Sequence, residues 1–317
     1  MARYLITGGA GFVGAELAAA LAARGDEVLA FDLRSSSRLD ALRAREQKIS
    51  FVTGEIVEWS GIASVLQQFR PDAVIHCAAI VGVRASLDMP MQTMRVNVEG
   101  SLNVLEAMRL FGVRRMIHMS SEETYGDFQS DLITEDHPQN PLMAYGVSKV
   151  AVEHLGRSYA QRYGLECLNL RTSWVYGPGL PRPRVPKTLI DAAVAGQPLK
   201  MVNGADFRVD HTYIDDLVVG TLLVLDRAEH PFDVYHIASG VAPSLAEIAA
   251  IIKDLVPDAD LSLGPGTIEF MPGVLAWKKG ALDITRATKT LGYRPRFNIR
   301  AGIAATIEAQ RAQRSEA

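Results

Sequence analysis

TGGAGFVG, residues 7–14, is the stretch on which the fold turns. An apolar run at residues 4–6 leads into it and an apolar pattern of helical spacing at residues 12–24 leads out, so it sits at a strand-to-helix turn. Gly9, Gly11 and Gly14 complete the pattern G-x-G-x-x-G. Glycines there permit a tight turn and close backbone approach to a pyrophosphate, whose charge is stabilised by free N–H groups and by the positive end of the helix. Asp32 follows 18 residues after Gly14, at the end of a second strand-like run. A carboxylate at that place accepts hydrogen bonds from ribose hydroxyls and repels a 2′-phosphate, which favours NAD, while Arg34 two residues on keeps NADP open.

Outward from this turn, short apolar or β-branched runs at residues 27–31, 50–53, 73–76, 115–119 and 166–170 alternate with longer helical patterns at residues 91–111 and 144–163. The rhythm predicts βαβ units, and so an α/β fold built on a doubly wound parallel sheet of the Rossmann kind. Gly25, Gly112 and Gly164 stand where helix C-caps belong. Proline and glycine then crowd VYGPGLPRPRVP, residues 175–186, which reads as a long loop near the substrate. The domain change is placed there: an NAD-binding domain over 1–174 and a smaller, mixed α/β substrate domain over 175–317, with some segments (about 205–240) returning to the first. Helices are expected at residues 188–195, 215–226, 244–255 and 301–311, and a strand at 234–238.

Composition narrows the function. With 317 residues, 48% of them hydrophobic and 22% charged, the chain can bury a full core. A net charge of -3 with no basic run argues against a nucleic-acid partner. The sequence enters a strand-like run at once, with no signal-peptide pattern, and no apolar stretch reaches membrane-spanning length. Two cysteines, Cys77 and Cys167, each in an apolar run, fit a reducing, cytoplasmic setting. Seven scattered histidines without H-E-x-x-H or paired cysteine spacing predict no metal site.

Tyr145 and Lys149 lie four residues apart, on one face of the helix predicted over 144–163. A free tyrosine loses its proton near pH 10, and a neighbouring ammonium together with a positive nicotinamide favours the phenolate, making Tyr145 a usable base. Ser121 ends the fifth strand at its carboxyl edge, which in a doubly wound sheet faces the ligand crevice, so its hydroxyl can bond the reacting oxygen. Taken singly, such residues are more often a surface pair and a turn serine.

Together the residues resemble the NAD-dependent epimerase/dehydratase family of extended short-chain dehydrogenases. The resemblance runs over nearly the whole chain: TGGAGFVG, Asp32, the His76-Cys77-Ala78-Ala79 strand end, Asn97 in VNVEGSLNVLEA, Ser120-Ser121 with Tyr125-Gly126, Tyr145 with Lys149, and Val175-Tyr176-Gly177-Pro178. It implies that Tyr145 is the general base, that Lys149 holds the nicotinamide ribose and lowers the tyrosine pKa, and that Ser121 binds the reacting oxygen. It implies as cofactor-lining residues Gly8, Gly11, Phe12, Val13, Gly14, Asp32, Leu33, Glu55, Ile56, Cys77, Ala78, Ala79, Asn97 and Met119, besides Tyr145 and Lys149. The implied chemistry is hydride transfer from a sugar carbon to NAD+ through a ketone, with the hydride returned and the cofactor recycled. The helices over 91–111 and 144–163 resemble the pair that builds a homodimer interface in this family.

Three features bear on the reaction and disagree. Ser121-Glu122-Glu123-Thr124-Tyr125-Gly126 resembles the T-D-E-V-Y-G of nucleotide-sugar 4,6-dehydratases, where the acidic pair assists loss of water, and Glu123 also matches the T-S-E-V-Y-G of uronate decarboxylases. The segment GVRASLDMP, residues 82–90, resembles that of UDP-glucuronate 4-epimerases, with Arg84 suited to a substrate carboxylate. Against a nucleotide sugar, Trp174 stands where the family's R-x-x-N-V-Y-G-P has asparagine, and Val209 stands where R-D-F-x-Y-V-D-D has arginine. The nearest arginine is Arg208, and Arg182, Arg184 and Lys187 offer replacement charge. The leading expectation is an NAD-dependent sugar or nucleotide-sugar epimerase/dehydratase. Its rivals are a dehydrogenase of a free sugar or sugar acid that releases NADH, and a nucleotide-sensing protein, against which the intact Ser121, Tyr145 and Lys149 argue.

Overall fold

The computed structural model describes residues 1–316. In chain order it runs β1 (Arg3–Thr7), α1 (Phe12–Ala23), β2 (Glu27–Asp32), α2 (Ser37–Arg45), β3 (Ile49–Thr53), α3 (Trp59–Phe69), β4 (Ala73–His76), α4 (Val83–Asp88), α5 (Pro90–Met94), a π-helical turn (Arg95–Glu99), α6 (Gly100–Phe111) and β5 (Arg115–Ser121). A 3₁₀ turn (Glu122–Thr124) leads to β6 (Leu132–Ile133), α7 (Ala144–Tyr163), β7 (Glu166–Thr172), β8 (Trp174–Tyr176), α8 (Lys187–Ala195), β9 (Leu199–Met201), β10 (His211–Tyr213), α9 (Ile214–Asp226) and β11 (Val234–His236). The chain closes with α10 (Leu245–Leu255), β12 (Leu261–Leu263), β13 (Glu269–Met271), β14 (Val274–Leu275), β15 (Ala281–Leu282), α11 (Thr285–Leu291) and α12 (Ile299–Glu316).

Two compact units share these elements. The first comprises Met1–Gly126, Pro138–Arg171 and Val218–Tyr235, and the second Asp127–His137, Thr172–Leu217 and His236–Ala317. The chain thus crosses between units near Arg171 rather than at 174/175, returns over a shorter stretch than 205–240, and makes an earlier excursion at 127–137 for which the sequence reading had no signal.

The first unit is built on a seven-stranded sheet of order β11-β7-β5-β4-β1-β2-β3, the doubly wound Rossmann arrangement, with parallel pairing for β1 with β2 and β4, β2 with β3, and β4 with β5. β4 and β5 are buried almost throughout, as strands covered on both faces are. One core layer joins Leu5, Val74 and Met116 on the sheet to Ile62 and Leu66 on α3 and Val104, Leu105 and Met108 on α6. Helices α6 and α7 end at Gly112 and Gly164 in the left-handed conformation.

The helix expected over 91–111 runs unbroken from Pro90 to Phe111, but its ladder widens at Arg95–Glu99, where Asn97 turns inward. Asn97 Oδ1 accepts from Ile80 N at 2.7 Å, and its Nδ2 donates to Ile80 O at 3.0 Å and Ser148 Oγ at 2.9 Å. It therefore ties the loop after β4 to α7. The helices α2 and α3 were absent from the sequence reading. Their amphipathic patterns are short, and α2 buries only Leu39.

The second unit carries four two-stranded sheets, β8–β10, β9–β12, β13–β14 and β6–β15, all parallel except β13–β14. The expected long loop at 175–186 begins inside β8, whose three residues pair with β10. Asp210 anchors this unit from a fully buried position. It accepts from Ser239 N, Ser239 Oγ and Gly240 N at 3.0, 2.7 and 2.9 Å, while burial lifts its carboxyl to about 6.

Candidate active site

The glycine turn forms a cradle that side chains would fill. Gly8 has φ +69°, and a Cβ on it would lie 2.6 Å from Ala78 N; one on Gly14 would collide with the Gly8 carbonyl oxygen. Helix α1 starts behind the turn with Gly11 as N-cap and no side chain bonded to its first N–H groups, which leaves that positive end for an anion. Asp32, ending β2, accepts from Ala10 N at 3.1 Å and Leu33 N at 2.8 Å, and burial raises its carboxyl above its ordinary value against those bonds. Phe12, Val13, Ala78 and Ala79 line the turn half-buried, Ile56 and Met119 are buried, and Leu33 and Glu55 are exposed. The donor-rich cradle and the acceptor at the end of the neighbouring strand fit the pyrophosphate and ribose of NAD.

Ser121 ends β5, and Tyr145 and Lys149 lie in the first two turns of α7, which packs against β5 and the 3₁₀ turn after it; all three are buried. Ser121 Oγ accepts from Glu123 N at 3.2 Å, which leaves its own O–H to donate. Lys149 Nζ lies 5.9 Å from the Tyr145 ring centroid and donates to Met119 O at 2.7 Å and to His118 Nε2 at 3.3 Å. Burial pulls its ammonium down to about 8, opposed by the fields of Cys77 and Glu153. Glu122 and Glu123 are buried in the 3₁₀ turn directly after Ser121. Arg84 is exposed in the first turn of α4.

Sequence reasoning missed the residues that hold α7 in place. Arg171 on β7 grips Glu153 through two bonds, Nε to Oε1 at 2.9 Å and Nη2 to Oε2 at 2.6 Å. Ser120 donates to Glu153 at 2.6 Å, and Arg171 also donates to Tyr125 OH at 2.6 Å. Glu153 sits one turn beyond Lys149 on the same helix face, a spacing visible in the sequence, but its buried partner is contributed by a distant strand. The pair holds Glu153 below its ordinary value despite burial.

These features match a known family over residues 4–238, that of the NAD dependent epimerase/dehydratase enzymes. The chain belongs to the NAD dependent epimerase/dehydratase family. Among relatives of this family, a UDP-glucose 4-epimerase of Mycolicibacterium smegmatis is 34% identical over 96% of this chain and 97% of its own length. Among solved structures, the UDP-glucose 4-epimerase of Thermotoga maritima with UDP-glucose superposes with a TM-score of 0.89 at 26% identity, covering 98% of this chain and 99% of its own. A dTDP-glucose 4,6-dehydratase of Streptomyces venezuelae, crystallised with NAD, gives a TM-score of 0.87 at 26% identity over 99% and 98%. NAD is accordingly the cofactor of this family member.

In the second unit, the positions that depart from the family pattern are packed shut. Trp174 is buried against Phe207 (centroids 5.6 Å apart) and His211 (5.7 Å), with the Arg184 guanidinium 3.9 Å from its ring centroid. Its indole Nε1 is buried without a hydrogen-bond partner. Val209 is fully buried, and burial with the Arg184 charge pushes His211 down to about 3. Arg208 does not replace the missing arginine: it pairs with Glu247 at 3.1 Å and bonds Ala242 O. Arg182 is exposed on the loop before α8. Among the described residues no group of three or more His, Cys, Asp or Glu is placed to hold a metal ion, and no helix is long and apolar enough to cross a membrane.

Proposed function

We propose that this family member epimerises a nucleotide-linked sugar at the carbon it oxidises, with Tyr145 as base, Lys149 as its cationic neighbour and Ser121 as donor to the reacting oxygen. The reading is supported by the burial of Ser121, Tyr145 and Lys149 and by a glycine cradle in the same unit that side chains would fill. NAD, when bound, would accept the hydride of the carbinol carbon and return it to the opposite face of the ketone once the sugar has turned over. Tyr145 takes the hydroxyl proton as the carbonyl forms and gives it back on return. The Lys149 ammonium favours the phenolate, and the Ser121 hydroxyl donates to the oxygen whose charge changes. Glu122 and Glu123 stand next to Ser121 and supply acid and base for loss of water if the sugar presents a leaving hydroxyl. Cofactor contacts by Leu33, Glu55, Ile56, Cys77 and Met119, and a substrate contact by Arg84, belong to the same proposal.

One observation favours a second reading. The buried Trp174, Val209 and His211, with Arg208 engaged by Glu247, leave the usual diphosphate-holding side chains unavailable, which suits a compact sugar acid oxidised with release of NADH. A panel of UDP-, dTDP- and GDP-sugars and free sugar acids, assayed for product identity and net NADH together, tests both: an epimer without NADH supports the first, and NADH from a free acid with nucleotide sugars inert replaces it with the second. We further infer a cytoplasmic homodimer, from two unbridged cysteines and from apolar side chains on the outward faces of α6 and α7.

A further inference from the structure

Four central strands align polar side chains in a row across an otherwise apolar sheet. Thr7 on β1 is registered with His76 on β4, and His76 with His118 on β5. His118 Nδ1 lies 3.0 Å from Asn169 Oδ1 on β7. The two imidazoles stack with centroids 5.8 Å apart and planes 29° from parallel, and all four residues are buried. Lys149 reaches down from α7 onto this row at His118 Nε2.

The hydrogen bonds fix both tautomers. Asn169 Nδ2 donates to Asp233 O at 3.2 Å, so its Oδ1 faces His118 as an acceptor, and His118 must carry its proton on Nδ1. Its Nε2 is then a bare lone pair turned to an ammonium that has only protons to give. His76 has the opposite arrangement. Ser101 Oγ gives its proton to Asn97 O, so it accepts from His76 Nε2 at 2.7 Å, while His76 Nδ1 accepts from Thr7 Oγ1 at 2.7 Å.

We propose that His118, locked by Asn169 in the Nδ1–H tautomer, is a positioning residue that holds the Lys149 ammonium in its place beside Tyr145. The inference rests on the Tyr145–Lys149 reading of the site. The groups facing Lys149 are His76 and Cys77 from β4 and the loop after it, His118 from β5, and Tyr145 and Glu153 from α7, with Glu153 itself engaged by Arg171. Cys77 is pushed up to about 12 by burial and is a neutral thiol, and both histidines are held well below their ordinary value, so neither opposes the ammonium. Besides the Met119 carbonyl, His118 is the acceptor that steers Nζ. Without it, the charged form of Lys149 loses a partner and its pKa falls further, so the cation that favours the Tyr145 phenolate disappears at lower pH.

Two measurements test this. In the unsubstituted protein labelled with ¹⁵N-histidine, nitrogen shifts at neutral pH are expected to show His118 protonated on Nδ1 alone and His76 on Nε2 alone. A His118 proton on Nε2, or an imidazolium, overturns the proposal whether or not a substrate has been found. For turnover, His118→Phe keeps a ring and removes the acceptor; kcat is expected to fall about tenfold at neutral pH, a fraction of what acid–base catalysis supplies, with KM little changed and the alkaline limb of the pH profile moved down. His118→Gln, whose amide oxygen can accept from Lys149, is expected to restore much of kcat and the position of that limb. An unmoved limb in His118→Phe, or equal losses in both variants, contradicts it. Inactivity of the unsubstituted enzyme toward every sugar tested counts against the proposed function instead, and the tautomer measurement then decides this one.

Discussion

Burial holds the Lys149 ammonium at about 8, against 10.5 for the free side chain, so the folded protein carries that charge at a cost. The shift, net of the interactions around Nζ, corresponds to roughly 3 kcal/mol. Lys149→Met is therefore expected to stabilise the protein by about 1–3 kcal/mol at pH 7 in urea titrations while abolishing turnover. Because the folded pKa lies below the unfolded one, the unfolded state binds the extra proton between about 8 and 10.5. Raising the pH through that window should stabilise the unsubstituted protein relative to Lys149→Met and close the gap. A variant less stable at pH 7 would show that the hydrogen bonds outweigh the burial. Tyr145→Phe should lower kcat by about 10²–10⁴ and leave NAD affinity, measured calorimetrically, nearly intact. At this scale the places of Gly14, Asp32, Tyr145 and Lys149 at a turn, a strand end and one helix were legible, because their spacings are local. His118 and Asn169 were not legible, because their role arises from strand register and from a side chain reaching down from another element.

Among elements, α7 matters most, since it carries Tyr145 and Lys149 and is fastened through Glu153 to Arg171 on β7. Both partners are buried, so removing one strands the other's charge. Arg171→Leu should cost about 3–5 kcal/mol in chemical denaturation, and adding Glu153→Leu should recover much of that loss. Additive losses in the double variant would show that the two groups act independently. The bounds of β4 and α7 were readable from apolar runs and helical spacing with a C-terminal glycine. The π-helical turn at Arg95–Glu99 was not, because nothing in the apolar period of 91–111 marks an extra residue in the ladder; the inward demand of Asn97 does. β8 was hidden for a related reason: its three residues become a strand only by pairing with β10, amid prolines and glycines that read as loop.

For the molecule as a whole, alternation of runs indicated a doubly wound sheet, but the order in which two units take turns along the chain reflects tertiary contacts, and the excursion at 127–137 has no compositional mark. The outward faces of α6 and α7 leave Leu102, Leu110 and Val147 between 38% and 50% exposed, a pattern suited to a partner copy. Light scattering after gel filtration should give twice the 34.5 kDa chain mass, and Val147→Glu should shift the mass toward one chain. A monomer in the unsubstituted protein would remove the dimer proposal without touching the chemistry. In the proposed reaction the substrate's hydride is lent and returned. This is tested most directly with a substrate from the panel carrying deuterium at the oxidised carbon, with product label and net NADH followed together. The expected outcome is product with deuterium retained at that carbon and no accumulation of NADH. Deuterated NADH formed one for one with an oxidised product would contradict it.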